Sequence, residues 1–432
     1  MSTPDDSTPA TSPRKVSILS SLGPAIITAS VVLGPGSIVS ASKLGNTYGF
    51  SMTWVVLLAV VLMICMTALS ARLGVVLEKS LCEELKVRAG RPLAILAGVS
   101  VFLICACFQY SNNLGILLAV EPLMENVSPT FSISVIVALN VFIIAVLWGL
   151  KSLYGHIETL MKILVAMMTI AFAINLGCAL LIPAEEAPAE AAVAAAEVVA
   201  ETPAPSPITL VTIIAMFATT FSVAGAFYQS YLVREKGWTI ANIRQGFVDS
   251  TLGITVLGLI TLMVMSTSAI VLHGKAGIEL NSAADVALAL EPAFGKFAVI
   301  IFCLGIFAGA FSSFLVNSMI GGAMLSDGFG LGYHIDKTWP KVFTTIALLT
   351  GMSVAVYVKS QDLPKPANLI VFAQSVTVIA NPVLAAALLW LATRKDLIGN
   401  RKIPTWLKIM AVIGLIVAIG FAYRTLSGLL GS

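Results

Sequence analysis

Residues 31–50 read VVLGPGSIVSASKLGNTYGF. An apolar stretch long enough to cross a bilayer carries Gly34-Pro35-Gly36-Ser37 in its middle, a run that interrupts a helix. No water reaches backbone groups in the hydrocarbon, so irregular backbone at that depth survives only when buried in protein or lining a polar cavity. The run therefore predicts a broken membrane helix whose freed carbonyls serve as ligands.

The rest of the chain agrees with a membrane setting. Its 432 residues are 58% hydrophobic and 11% charged, with a mean hydropathy of +0.97, whereas soluble domains carry roughly a quarter charged residues. Apolar runs predict eleven spans, over 17–45, 52–77, 92–120, 131–149, 155–182, 208–236, 245–272, 294–325, 340–358, 366–392 and 405–427. Residues 1–15 read as a polar, disordered cytoplasmic tail and 183–207, rich in Ala, Glu and Pro, as a disordered external loop. A net charge of +3 marks no nucleic-acid partner. The six cysteines are scattered, and Cys105 and Cys107 read as packing rather than a thiolate metal site.

Basic residues set the orientation. With the N-terminus inside, Lys79, Lys86, Arg88, Arg91, Arg234, Lys236, Arg244, Lys337, Lys341, Arg394 and Lys395 all fall on the inner side. Few, among them Lys43, Lys296, Lys359 and Arg424, fall outside. The expectation is an inside N-terminus and an outside C-terminus.

The sixth span also reads as interrupted, near 224–228, with Ala224-Gly225-Ala226 followed by Tyr228 and Gln229. Broken helices five spans apart predict two repeats of opposite topology, 16–182 and 208–392, followed by a loop and eleventh span over 393–432. Paired breaks of this kind point to a substrate site near the bilayer midplane.

The sequence LGPAIITASVVLGPGSIVSASKLGNTYGF resembles the first span of the NRAMP divalent-metal transporters. The likeness continues through SARLGVVLEKSLCEEL, NIRQGFVDSTLG, LEPAFGKFAVIIFCLGIFAGAFSS and VFAQSVTVIANPVLAAALLWLATRKDLIGN. The resemblance implies an all-α, LeuT-like fold of five plus five inverted spans. It also implies that the family's metal-binding Asp and Asn fall here on Gly34 and Ser37. The family's Met, Pro and His of the sixth span fall on Ala226, Phe227 and Tyr228. Its proton-moving Asp and Glu of the third span fall on Gln109 and Asn112. Each replacement removes a charge, a thioether or a titratable group. In this the chain is most similar to the divergent NRAMP-related magnesium transporters.

A carboxylate and a soft sulfur suit a dehydrated transition-metal ion, and both are gone. Mg²⁺ dehydrates reluctantly and keeps several waters when bound. A widened cavity lined by Ser37, Tyr228, Gln229, Gln374 and Asn381, with carbonyls near Gly34 and Val223 and space at Ala226, suits a largely hydrated Mg²⁺, and Mn²⁺ beside it. Glu121, Glu158 and Asp249 lie near span ends, Asp249 reading as an ion-pair or helix-start group, so no carboxylate relay for protons is expected. The expected function is uncoupled carriage of divalent cations by a cofactor-free monomer in a bacterial inner membrane. The alternatives are a carrier of a small organic solute or anion on the same fold and, less favoured, a transport-inactive sensor. No nucleophile–base pair, metal triad or phosphate loop suggests an enzyme.

Overall fold

The computed structural model describes residues 23–124, 127–150, 153–181, 207–274, 283–361, 366–398 and 403–430. The expected tail 1–15 and the tract 183–206 lie outside them. Helices α1 (Pro24–Val32) and α2 (Pro35–Tyr48) form the first span, bent by 58° at the break. Spans two to five are α3 (Thr53–Val76), α5 (Arg91–Val120), α6 (Pro129–Gly149) and α7 (Leu153–Leu181), with a short helix α4 (Leu81–Ala89) before α5. Helices α8 (Pro207–Thr220) and α9 (Val223–Glu235) form the sixth span. Then come α10 (Ile243–Val271), α11 (Ala283–Gly328) and α12 (Thr338–Ser360). The tenth span joins α13 (Pro366–Thr377) to α14 (Asn381–Thr393) through a 3₁₀ turn, and after the short α15 (Lys395–Ile398) the last span is α16 (Thr405–Leu430). Among the described residues this makes eleven spans when the bent pair counts as one, as the hydropathy predicts.

Local chemistry sets the helix starts. Prolines stand at the first helical position of α1, α2 and α6 and at the second of α5, in the first turn, where a missing N–H costs nothing. Ser80 caps α4 by accepting from the Glu83 amide, and Ser128 caps α6 through Phe131. Helix α11 starts at Ala283, earlier than the apolar run alone predicts.

The packing is reciprocal, as an inverted repeat requires. Helix α2 of the first span packs on α10 of the seventh, and α9 of the sixth packs on α3 of the second. Each crossing runs through a glycine: a Cβ on Gly45 would collide with the Met265 carbonyl, and one on Gly74 with the Ser230 backbone. Such close approaches are how small residues bind helices together in lipid. Helices α5 and α11, the third spans of the two halves, pack on each other along the centre. Large apolar side chains on the outer helices, among them Phe142, Ile170 and Ile416, stay exposed for lipid.

One carboxylate anchors the broken span at its start. Asp249 of α10, fully buried, accepts from the Gly23 amide at 2.7 Å and from the Ala25 amide at 2.9 Å. It is a helix-start group, but for α1 and not for its own helix. Gln229 of α9 donates to Asp249 at 3.4 Å and accepts from the Thr28 hydroxyl of α1 at 2.6 Å. Beside them Lys236 lies 2.5 Å from both oxygens of Glu158, and Lys162 lies 2.7 Å from one. Asp249→Ala leaves two α1 amides and one end of Gln229 unpaired. It should lower stability by about 2 kcal/mol, read as a lower thermal midpoint in detergent, with Asp249→Asn falling between it and the parent.

Candidate functional site

The site is built around the break in the first span. The Leu33 amide donates to Ala29 O at 3.1 Å and so closes α1. Gly34 then turns extended (φ −77°, ψ 176°), and Pro35 opens α2. The carbonyls freed at the end of α1 do not stand open as ligands, contrary to the sequence expectation. The Ser312 hydroxyl of α11 donates to Ser30 O at 3.1 Å, and the Ser313 hydroxyl donates to Val31 O at 2.9 Å. Ser37 donates to Val32 O across the break. The Leu33 carbonyl lies against Gly309, 2.5 Å from where a Cβ would sit. Hydroxyls are the small donors available in an apolar helix, so they cover what the break uncovers.

Two amides complete the surroundings. Asn112 of α5 faces Gly34: a Cβ there would lie 3.3 Å from Asn112 Oδ1 and 2.7 Å from Ser313 Oγ. Both amide atoms of Asn112 are buried without a hydrogen-bond partner among the described residues. Gln374 of α13 lies directly over Gly36, filling the place of any side chain there. Its Nε2 donates to the Ser111 hydroxyl at 3.1 Å, while its Oε1 is buried and unpartnered. Gly34, Asn112, Ser313, Gly36 and Gln374 thus meet at one place contributed by the first, third, eighth and tenth spans. Gly115 of α5 completes the fit by giving way to the Pro35 ring.

The sixth span differs from its sequence reading. Its interruption is at Phe221-Ser222, not near 224–228, and it lacks the sharp bend of the first span. Ser222 supplies the reason: its hydroxyl accepts from Gly225 at 3.3 Å, and its carbonyl accepts from Ala226 at 2.9 Å. This cap starts α9 at Val223, so Ala224-Gly225-Ala226 is helix. Val223 and Ala226 are buried within that helix and belong to the apolar core. The Tyr228 ring stacks on Tyr231 at 5.8 Å, which meets Tyr333 edge-on at 5.0 Å. Both ends of the Gln229 amide are spent on Thr28 and Asp249.

Gln109 Nε2 donates to Phe314 O at 2.9 Å, and the Gln109 backbone carbonyl accepts from Asn113 Nδ2 at 2.8 Å. Asn140 donates to Asn113 at 2.7 Å, making an uncharged amide ladder between α5 and α6. Asn381 is buried at the start of α14, after the 3₁₀ turn Val378–Ala380. The expected wide cavity is closed: Ser37, Tyr228, Gln229, Gln374 and Asn381 are each at most 4% exposed. A cavity of about 310 Å³ lies elsewhere, between α8, α13 and α16, beside Ile214, Phe372 and Arg424. Among the described residues no three His, Cys, Asp or Glu side chains gather to hold a metal ion. The arrangement offers hydroxyls and amides without formal charge, and the negative end of α1's dipole. Sequence reading missed Ser111, Ser312 and Ser313, which look like ordinary small packing residues in their apolar runs.

Comparison with known proteins agrees with this architecture. The family model described as natural resistance-associated macrophage protein-like, Nramp, matches residues 25–428. A divalent metal cation transporter MntH of Deinococcus radiodurans is 25% identical, with 88% of this chain and 84% of that protein covered. The MntH of Yersinia enterocolitica is 23% identical over 97% of this chain and 98% of its own length. The manganese transporter of Eremococcus coleocola superposes with a TM-score of 0.76 at 17% identity, covering 96% of this chain and 88% of that one. MhsT, solved with L-phenylalanine, superposes with a TM-score of 0.60 at 15% identity, covering 93% and 98%. Matched by the family model from the start of α1 to the end of α16, the chain is a member of the Nramp family.

Proposed function

We propose that this protein carries divalent cations across the membrane by alternating access, taking Mg²⁺ as a largely hydrated ion, with Mn²⁺ as a second substrate and no coupling to protons. The observation that carries this reading is the uncharged shell at the first-span break. There the unpartnered Asn112 Oδ1 faces Gly34, and the Gln374 side chain, whose Oε1 is unpartnered, lies over Gly36 through its Nε2 end. Amide oxygens that accept suit the water shell of a cation, whose waters turn their hydrogens outward, and Mg²⁺ gives up that shell reluctantly. The relatives named as divalent metal cation and manganese transporters support the cation class. In this reading Gly34, Ser37 and Gln374 border the ion. Val223, Ala226, Tyr228, Gln229 and Asn381 shape the surrounding walls as the carrier opens.

Gln109 and Asn112 are neutral amides where a proton relay would need titratable groups. Uptake is then driven by the gradient and the membrane potential, about 2.3 kcal/mol per charge per 100 mV and twice that for a divalent ion. The carrier acts as a monomer in a bacterial inner membrane. Its N-terminus faces the cytoplasm and its C-terminus the outside, as the distribution of basic residues supports. A second reading, carriage of a small organic solute, is favoured by one observation: the same fold is seen with L-phenylalanine in MhsT.

Proteoliposomes holding a Mg²⁺-sensitive dye, with a pH dye in parallel vesicles, test the proposal. Mg²⁺ entry without acidification is expected, and Mn²⁺ should compete. Vesicles that take up no divalent ion while the protein is folded would falsify the cation reading and direct the assay to organic solutes. Gly34→Ala drives a methyl against Ser313, and overpacking of about 1–3 kcal/mol should cut Mg²⁺ uptake about tenfold.

A further inference from the structure

We infer that Ser313, with Ser312 beside it, sets the ion selectivity of this carrier by holding the last carbonyls of α1 out of the ion's reach. The inference rests on the cation reading above and adds to it the residues that keep the ion hydrated. A helix that ends inside a membrane protein presents several carbonyl oxygens, and these are ligands a cation can use once it sheds water. Here Ser30 O and Val31 O each accept a hydroxyl from α11, at 3.1 and 2.9 Å. Val32 O accepts from Ser37. Three successive carbonyls are covered by three serines drawn from two helices.

Ser313 is the serine whose geometry is most tightly defined. Its oxygen accepts from Asn317 Nδ2 at 2.8 Å, so its single hydrogen is left for Val31 O. Asn317 is itself held from the other side, its Oδ1 lying 3.8 Å from the Cys105 sulfur. Ser313 also stands at the break, with its Oγ 2.7 Å from the position a Gly34 side chain would take. Ser312 shares its hydrogen between Ser30 O and Gly309 O of its own helix, both at 3.1 Å, and so covers its carbonyl less firmly.

The consequence is chemical. With the carbonyls already bonded, an ion arriving at Gly34 meets hydroxyl and amide groups that contact its waters. A cation that must exchange water for carbonyl oxygen gains little there. Ca²⁺ readily takes backbone carbonyls in flexible geometry, whereas Mg²⁺ keeps its waters. The covered carbonyls therefore favour Mg²⁺ over Ca²⁺, and Ser313 is a positioning residue acting through Val31 O.

The test is the ratio of Ca²⁺ to Mg²⁺ uptake in proteoliposomes of the full chain. Ser313→Ala uncovers Val31 O, and Ser313→Cys keeps a slightly larger group in place with a far weaker donor. Both should raise the ratio about fivefold, the worth of one such hydrogen bond. Ser318 is a control, since its buried hydroxyl bonds only its own helix, to Leu315 O at 2.7 Å, and Ser318→Ala should leave the ratio unchanged. The cysteine variant carries the test if the alanine variant does not fold. An unchanged ratio in a Ser313 variant that still moves Mg²⁺ overturns the inference, as does an equal rise in Ser318→Ala. A parent protein that moves neither ion overturns the cation reading first, before any variant is compared.

Discussion

A backbone carbonyl at membrane depth needs a partner or close cover, because the hydrocarbon offers no replacement for water. In this chain the obligation falls hardest on the first span, where Gly34-Pro35 ends one helix and starts another with a 58° bend. The surrounding helices are arranged to meet it. Helix α11 brings Ser312 and Ser313 to two carbonyls and yields space at Gly309 for a third. Helix α5 opposes the break with Ser111, Asn112 and Gly115, and α13 lays Gln374 over Gly36. At the other end of α1, where amides are free instead of carbonyls, α10 supplies the complementary group, the Asp249 carboxylate. A nine-residue helix is thus bonded at both ends by partners far away in sequence.

The two halves share a packing plan but not a chemistry. The reciprocal crossings of α2 with α10 and of α9 with α3 are what inversion demands, and both depend on a glycine that lets the backbones approach. The breaks themselves have diverged. In the first span proline forces the change of direction and serines from another helix satisfy the residue left over. In the sixth, Ser222 caps the following helix locally, and the interruption, two residues long like the first, lacks the sharp bend. The polar groups of that half, Gln229 above all, are turned to anchoring α1. The uncharged centre is therefore concentrated at one break, with formal charges such as Glu158, Lys236 and Asp249 gathered near the start of α1.

These differences mark where sequence reading succeeds and where it stops. Spans are legible because hydrophobic length is a local property. The first break is legible because Gly-Pro-Gly has no other use within an apolar run. Helix α4 was not read from the sequence, although Ser80 and Glu83 have the spacing of a capped helix start. The true break in the sixth span was hidden because Gly225 attracts attention while Ser222, the residue that acts, resembles any small residue. Ser312 and Ser313 are harder still. Their role exists only once α11 lies beside α1, and nothing within FAGAFSSF distinguishes a hydroxyl aimed at a foreign carbonyl from one bonded to its own helix. Asp249 could be recognised as a helix-start group, but which helix it started was a tertiary fact.

For the proposed function, a divalent ion in a site without a carboxylate poses an electrostatic difficulty, which a retained water shell would ease. Full dehydration is out of reach for such a site, since neutral oxygens cannot replace both the inner waters and a counter-charge. A retained water shell removes most of that demand by spreading the ion's charge over a larger surface. What remains is met by dipoles: the negative end of α1 points at the break, equivalent to about half an elementary charge, and amide oxygens at Asn112 and Gln374 stand beside it. Weak, distributed stabilisation of this kind also permits release, because an ion never coordinated directly has no inner-shell bonds to break. Under the proposed function, a neutral site in place of charged ligands would exchange tight capture of a scarce metal for throughput of an abundant one.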